Sequence, residues 1–163
     1  MTSKSGLVTV TGGKWTTYRA MAEDVLKECF DEKLLPARVG GVTVTLPLVG
    51  APKPEQVKHR MNAAQGEHIY GTEAPAVHSL PGADKLLAEG LSEAMVRFAA
   101  RYEYARTVED VLARRSRILF LDARLAASVA PRVAEILAQE LPGVDVKLAD
   151  FVSLSQQYLL SNA

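Results

Sequence analysis

Residues 92–102 read SEAMVRFAARY and carry the clearest helical pattern of the chain. Ser92 is a favourable helix N-cap residue, because its hydroxyl can accept a hydrogen bond from a backbone N–H of the first turn. The apolar residues after it recur at the three-and-four spacing of one helix face. They are Met95, Phe98, Ala99 and Tyr102. The stretch therefore predicts an amphipathic helix at the start of a mainly α-helical domain.

The sequence downstream repeats this helical signature. Thr107 and Asp110 form a capping-box-like pair at the start of a second helix. Asp122 can cap a third helix, which we expect Pro131 to kink or split, because its ring removes a backbone donor and clashes with the preceding turn. Residues 148–159 carry a last helical stripe. The side chains expected to face inward on the third helix are Leu125, Val129, Val133, Ile136, Leu137 and Leu141.

Upstream of this domain, residues 7–10 form a short apolar run rich in β-branched side chains, which predicts a buried strand. A helix capped by Thr16 or Thr17 should follow and end near Phe30 or Glu32. A lone strand cannot pair its own backbone groups, so this imbalance suggests a piece of a larger protein. The apolar stripe of the predicted helix consists of Tyr18, Met21, Ala22, Val25, Leu26 and Cys29, with the Cys29 thiol expected to be buried.

The composition changes over residues 38–54, where prolines and glycines exclude a long helix. Residues 42–45 alternate like an extended segment. Beyond them, residues 55–64 are expected to be helical, and residues 66–90 to form short helical turns. The predicted division is residues 1–35 for the strand, turn and helix, 36–54 for an extended linker, and 55–163 for the helical domain.

The whole composition is that of an ordinary globular protein of 163 residues, with 48% hydrophobic and 23% charged residues. The formal net charge is zero, so nothing in the overall balance points to nucleic acid. The chain has one cysteine, which excludes an intramolecular disulfide and fits a reducing compartment. No apolar run approaches the ~20 residues that span a bilayer, and the first residues lack the apolar region of a signal peptide.

The segment with the most chemical content is residues 9–19, TVTGGKWTTYR. Gly12 and Gly13 let the backbone turn sharply and approach a flat ligand that a Cβ would block. The helix start presents unpaired N–H groups and partial positive charge, to which Lys14 adds a full charge. Such a site could stabilise a reduced flavin or hold an anionic substrate. A plain strand-to-helix turn with a surface lysine is the alternative, since the full GxGxxG fingerprint is missing.

Four segments together resemble the FAD-dependent glycerol-3-phosphate dehydrogenases. Residues 6–24 are similar to the closing segment of the family's flavin domain. Residues 68–71, 101–115 and 120–124 are similar to its helical C-terminal domain. The resemblance runs from about residue 6 to the end. It implies a compact helical C-terminal domain, preceded by a short strand–helix remnant of an α/β flavin-binding domain.

The resemblance also implies a function, the oxidation of sn-glycerol 3-phosphate to dihydroxyacetone phosphate with electrons passed through FAD to membrane quinone. Lys14 would be the polar group nearest the reacting centre. The family's N-terminal glycine-rich ADP-binding motif, most of its sheet, and the histidine and arginines of its substrate pocket match no part of this chain, so we expect the chain alone neither to retain FAD tightly nor to turn over substrate. The implied flavin contacts, mainly through backbone, are Gly12, Gly13, Trp15, Thr16 and Thr17.

Location and assembly follow from the same resemblance. We expect a cytoplasmic protein, with peripheral contact to the inner face of the cytoplasmic membrane and a homodimer as further options. Two rival functions stay open. One is a glycerophosphate oxidase, which shares the architecture and passes electrons to oxygen. The other is a helical interaction module that self-associates through residues 101–115 without catalysis.

Two clusters of polar residues suggest other functions but fit them poorly. Arginines crowd residues 97–117 as on a DNA-recognition helix. Glutamates and an aspartate are interleaved with them, which favours ion pairs within and between helices over DNA binding. His59, His68 and His78 lie nine and ten residues apart, which suits no common zinc pattern, so no metal site is predicted.

Overall fold

The computed structural model of the chain describes residues 2–36, 38, 40–60 and 63–159. The chain divides into two compact units, Met1–Leu48 (unit 1) and Val49–Ala163 (unit 2). The regular structure is mostly helical, and the strands of the described residues form one two-stranded sheet, so the predicted mainly α fold is confirmed. The finer division into residues 1–35, 36–54 and 55–163 stays a prediction.

The regular elements are the following. The α-helices are α1 (Tyr18–Asp31), α2 (Ala74–His78), α3 (Glu93–Tyr102), α4 (Ile118–Leu121), α5 (Ala123–Glu140) and α6 (Leu148–Gln157). The strands are β1 (Leu86–Ala88) and β2 (Leu91–Ser92), and the other helical segments are the 3₁₀ segments Pro54–Gln56 and Glu67–Glu73 and the π-helical segment Asp110–Arg115.

Unit 1 consists of α1 and the segments on either side of it. α1 lies where it was predicted, with Thr17 at its N-cap position. The buried strand predicted at residues 7–10 is wrong, because this mostly exposed segment makes only an isolated antiparallel bridge between Thr2 and Val8. A strand must pair its backbone groups along its length. In its described part, unit 1 supplies no such neighbour.

The apolar stripe of α1 is only partly covered. None of the residues of α1 is fully buried, and Cys29, expected to be buried, is half-buried. A helix buries its stripe only against a second packed layer. The described residues of unit 1 contain no second helix or sheet to form one.

Residues 42–45 form a turn, so the predicted extended conformation is wrong. The carbonyl oxygen of Val42 accepts hydrogen bonds from the backbone N–H groups of Thr45, at 3.1 Å, and Leu46, at 2.9 Å. The Thr43 hydroxyl lies between Arg19 Nη1, which donates to it at 2.9 Å, and the Glu23 carboxylate, to which it donates. The bonds to Arg19 and Glu23 hold the turn against α1, and together with the turn's own backbone bonds they outweigh the extended preference of its β-branched residues.

Unit 2 begins with a close backbone contact between two glycines. The N–H of Thr72 donates to the carbonyl oxygen of Gly50 at 2.9 Å. Gly71 has φ +56°, and a Cβ built on it would lie 1.9 Å from that same oxygen. Only glycine fits both the backbone angle and the space. The contact joins the start of the unit to the 3₁₀ segment Glu67–Glu73.

The helix predicted at residues 55–64 is wrong over most of its described length. Only the 3₁₀ turn Pro54–Gln56 forms, and Val57 is already extended. The side chain of Gln56 accepts a hydrogen bond from the Lys53 N–H at 2.9 Å and closes the turn on itself. Residues 61 and 62 lie outside the described residues. The short helical turns predicted for residues 66–90 are present as the second 3₁₀ segment and α2.

The strands β1 and β2 were not predicted. They pair antiparallel across a tight turn at Gly90, which has φ +76°. Three and two residues are too few to show a period-two pattern, so periodicity carries no signal here.

The hydrophobic core of the described chain lies in unit 2, where α5 packs against α3, α4 and α6. Ser92 caps α3 as predicted, accepting a hydrogen bond from the Met95 N–H at 3.3 Å. Tyr102, expected on the buried face, is 67% exposed because it lies at the helix end. The side chains that are fully enclosed include Val77, Val96, Val108, Leu112, Leu119, Val133, Ile136, Leu137 and Phe151.

α5 runs unbroken through Pro131, so the proline does not split the helix. Pro131 lies on the exposed side, where water can reach the carbonyl that its missing N–H leaves free. Asp122 caps the helix as predicted, accepting from the Leu125 N–H at 2.9 Å. Leu125 itself is exposed, contrary to the prediction. Alanines occupy much of the buried face, and they are Ala123, Ala126, Ala130 and Ala134.

Candidate functional site

The predicted site is an exposed bend formed by residues 12–17, which leads into α1. Gly12 has φ +81°, an angle that favours glycine. The Thr17 N–H donates to the carbonyl oxygen of Lys14 at 3.0 Å, and the Thr17 hydroxyl reaches the same oxygen at 3.4 Å. The bend is therefore a local turn set by its own sequence.

The start of α1 lacks a side-chain cap. Thr17 occupies the N-cap position, but its hydroxyl contacts the Lys14 carbonyl and lies 3.7 Å from the sulfur of Met21. The first backbone N–H groups of α1 therefore keep their partial positive charge without a side-chain acceptor. Lys14 places a full positive charge one turn before them.

The outer surface of the bend is open. All six predicted site residues are exposed, and Trp15 is 89% exposed. A Cβ built on Gly12 or Gly13 would have no atom within 4 Å. The Trp15 ring lies 5.7 Å from the ring of Tyr18, tilted by 37°. A planar ligand could therefore approach the backbone at both glycines without displacing any described atom.

The structure brings the predicted residues together only as neighbours in sequence. Their hydrogen bonds stay within residues 14–21 in the part of unit 1 that is described. A nearby groove of about 290 Å³ is lined by residues 8–10 and by the side of α1. None of the six predicted residues lines it. The bend is therefore one wall of a site and not a closed pocket.

The arginines of α3 are held by ion pairs to α5. Ion pairs between helices were predicted, but the carboxylate here, Glu140, is not one of the acidic residues interleaved with the arginines. Arg97 Nη1 lies 2.7 Å from Glu140 Oε1, and Arg101 Nε lies 2.6 Å from Glu140 Oε2. The side chains of Arg97 and Glu140 are only 12% and 10% exposed. The hydrogen bonds from Arg101 and then Arg97 hold the pKa of the Glu140 carboxyl below its usual range. These arginines tie helices together.

The predicted capping pair of Thr107 and Asp110 is also present. Asp110 Oδ2 accepts hydrogen bonds from the N–H groups of Arg106, at 3.0 Å, and Thr107, at 2.9 Å. Burial raises the pKa of Asp110, but these hydrogen bonds outweigh it and the net pKa is lowered. Arg114 adds an ion pair to Asp110 at 2.9 Å. The cluster fixes the first turn of the π-helical segment.

Two of the three histidines stack on each other, a contact that the sequence did not predict. The rings of His59 and His68 lie 4.1 Å apart with 23° between their planes. His78 Nδ1 lies 3.0 Å from Glu67 Oε2. The nine-residue spacing between His59 and His68 matches no helical or strand period, so the sequence carried no signal for their contact. Among the described residues, no group of three metal-binding side chains comes together.

The helices that the structure describes are too short or too polar to cross a bilayer.

Comparisons with known proteins give consistent matches. A family model described as the C-terminal domain of alpha-glycerophosphate oxidase matches residues 41–145. A protein of Dictyostelium discoideum named "Probable glycerol-3-phosphate dehydrogenase, mitochondrial" is 34% identical over 96% of this chain and 27% of its own length. A mitochondrial glycerol-3-phosphate dehydrogenase of Arabidopsis thaliana is 38% identical over 83% of this chain and 26% of its own length.

The human mitochondrial glycerol-3-phosphate dehydrogenase is 31% identical over 96% of this chain and 24% of its own length. The chain thus spans about a quarter of the length of these curated relatives. No solved structure matches the chain.

Proposed function

Because this chain belongs to the family of the C-terminal domain of alpha-glycerophosphate oxidase, we propose that it works as the C-terminal part of an FAD-dependent glycerol-3-phosphate dehydrogenase. The relatives support a dehydrogenase, because proteins that are 31–38% identical to this chain over most of its length are named glycerol-3-phosphate dehydrogenases. The complete enzyme would oxidise sn-glycerol 3-phosphate to dihydroxyacetone phosphate. Its partners would be the N-terminal FAD domain, the substrate and a membrane quinone.

The role of unit 1 in this proposal is to provide the bend as one wall of the flavin site. The observation that carries it is the open surface at Gly12 and Gly13, where a Cβ would touch nothing. Backbone groups of the bend and the uncapped start of α1 are suited to the polar edge of a flavin. The residues proposed to contact it are Gly12, Gly13, Trp15, Thr16 and Thr17.

FAD, when bound, supplies the acceptor for the two electrons and the hydrogen removed from the substrate carbinol. Lys14 would stabilise negative charge beside the reacting centre, because an ammonium group in a site closed to water interacts far more strongly than one in bulk solvent. Trp15, exposed in this chain, would cover apolar surface of the ligand and exclude water from the same place.

The rival oxidase function has one observation in its favour, the description of the matching family model. The two functions differ in the electron acceptor, which is quinone in a dehydrogenase and oxygen in an oxidase. The relatives' names also include a mitochondrial location, which gives no direct support to the cytoplasmic location expected from the sequence. A cytoplasmic protein in peripheral contact with the membrane stays part of the proposal.

The test is anaerobic flavin reduction in the complete enzyme that contains this chain. Glycerol 3-phosphate should bleach the flavin absorbance, and a soluble quinone should restore it much faster than oxygen does. Rapid recovery with oxygen and formation of hydrogen peroxide would favour the oxidase. A flavin that glycerol 3-phosphate leaves oxidised would contradict both.

A further inference from the structure

A large open cavity lies in unit 2 and shares no residue with the bend. Its volume is about 1010 Å³, and the described residues that line it fall between positions 52 and 75. Its size is at the upper end of the range for small-molecule sites. The lining side chains that can carry positive charge are Lys58, His59, Arg60 and His68. Among the described lining residues, Glu55 is the one carboxylate.

These cations differ from the arginines of the helical core, because no ion pair to a described carboxylate holds them. Arg97, Arg101, Arg114 and Arg132 all pair with carboxylates at 2.6–2.9 Å. Among the described residues, neither Lys58 nor Arg60 has an ion-pair partner. The fold therefore neutralises the charges that hold its helices together, and leaves those of the cavity available to an anion.

Close backbone contacts fix two sides of the cavity. On one side, the Gly50 carbonyl contacts Gly71, a lining residue. On the other, a Cβ built on Gly90 would lie 2.7 Å from the backbone oxygen of Gln65, also a lining residue, so the β1–β2 turn lies directly against it. The stacked rings of His59 and His68 join two further lining positions. A site positioned in this way needs less reorganisation when a ligand binds.

We propose that this cavity binds a small organic phosphate. Arg60 can donate two parallel hydrogen bonds to phosphate oxygens, and Lys58 supplies a compact positive charge. The imidazoles of His59 and His68 can add N–H donors. Val57 and Ile69 line the same cavity and provide apolar surface for the carbon skeleton of the ligand. The site lies in unit 2 and does not depend on flavin binding at the bend.

The direct test is an NMR titration of the 163-residue chain with inorganic phosphate and with the monoester glycerol 2-phosphate, at constant ionic strength in chloride. Saturable shifts of the His59 and His68 ring signals are expected with both probes, with tighter binding of the monoester. Lys58→Gln and Arg60→Gln should each weaken binding at least tenfold. The matched controls Lys85→Gln and Arg124→Gln remove exposed cations outside the cavity and should stay within twofold.

Two results would overturn the proposal. One is a shift that does not saturate, or that the control variants reduce as much as the cavity variants do. The other is binding to phosphatidylcholine vesicles that contain phosphatidic acid with no response to either free probe, which would assign the charges to a lipid surface. The wild-type titration is informative even if a variant fails to fold.

Discussion

Lys14 lies on an exposed bend, one turn before a helix start that no side chain caps. In the complete enzyme, we predict that Lys14→Ala lowers kcat for glycerol 3-phosphate oxidation at least tenfold while flavin stays bound. That loss corresponds to about 1.4 kcal/mol of barrier stabilisation. Steady-state kinetics and flavin absorbance measure both quantities. Lys4→Ala, which removes another exposed lysine of unit 1, should keep wild-type turnover, and an equally active Lys14 variant would remove Lys14 from the site.

Gly71 lies where the backbone leaves no space for a Cβ. Its φ of +56° and its contact with the Gly50 carbonyl both exclude a Cβ. Gly143 is the matched control, because it has φ +81° and open space around it. We expect Gly143→Ala to lower the free energy of unfolding by about 1 kcal/mol, from backbone strain alone. Gly71→Ala should lower it by at least twice as much. Urea unfolding measures the stability of both variants. Equal losses of unfolding free energy would show that the contact with the Gly50 carbonyl does not contribute.

At the level of the elements, the sequence predicted helices best where a cap residue precedes a periodic stripe. Ser92 and Asp122 both accept the N-cap hydrogen bonds expected of them, and Thr107 with Asp110 forms the expected pair. Each of these bonds joins residues three positions apart. Local signals of this kind can be read without knowing the tertiary structure.

The errors occur where longer-range contacts decide the structure. The turn at residues 42–45 depends on side chains of α1 that lie about twenty positions earlier. The strands β1 and β2 are too short for a pattern. On α5, alanines form much of the buried face where larger side chains were predicted, and Leu125 is exposed. Which stripe of a helix is buried depends on its neighbours, and these could not be read from the sequence.

The contact between α3 and α5 should make the stability of unit 2 depend on pH. The pKa of Glu140 is lowered in the folded state by hydrogen bonds from Arg101 and Arg97. A carboxyl with a lowered pKa stabilises the fold above its unfolded pKa of about 4.3, and this contribution is lost as the pH falls. We predict that Glu140→Gln lowers the free energy of unfolding by roughly 1.5–3 kcal/mol at neutral pH and changes it little at pH 3.

Urea unfolding between pH 3 and pH 7 tests this prediction. Glu89→Gln is the control, since Glu89 is exposed and has no ion-pair partner among the described residues. It should leave the pH dependence of stability unchanged. A Glu140 variant with the wild-type pH dependence would show that the buried ion pair makes no net contribution.

At the level of the whole molecule, burial divides unequally between the units. All the fully buried side chains of the described residues belong to unit 2, and unit 1 has none. Local opening is easiest where few apolar groups are buried. We therefore predict that amides of α1 exchange with deuterium at least a hundredfold faster than those of α3 and α5. Hydrogen exchange with peptide-level mass spectrometry measures this, and equal protection would contradict it.

The candidate site was predictable from the sequence only in part. A glycine pair, a lysine and a helix start are adjacent in sequence, so their bend could be anticipated and is present. The shared cavity of Lys58 and His68 was not predicted, because ten positions separate them in the sequence and no motif links them. The proposed contact between the bend and the flavin belongs to the tertiary structure of the complete enzyme, which local sequence signals do not encode.

The most direct test of that contact is Gly13→Ala, compared in two settings. In this chain alone, the added Cβ would touch nothing within 4 Å, so thermal unfolding should be unchanged. In the complete enzyme, the same Cβ would push against the flavin, and we predict at least a tenfold loss of FAD affinity, measured by equilibrium titration of the apoenzyme. Unchanged FAD affinity with full turnover would contradict the proposed contact between the bend and the flavin.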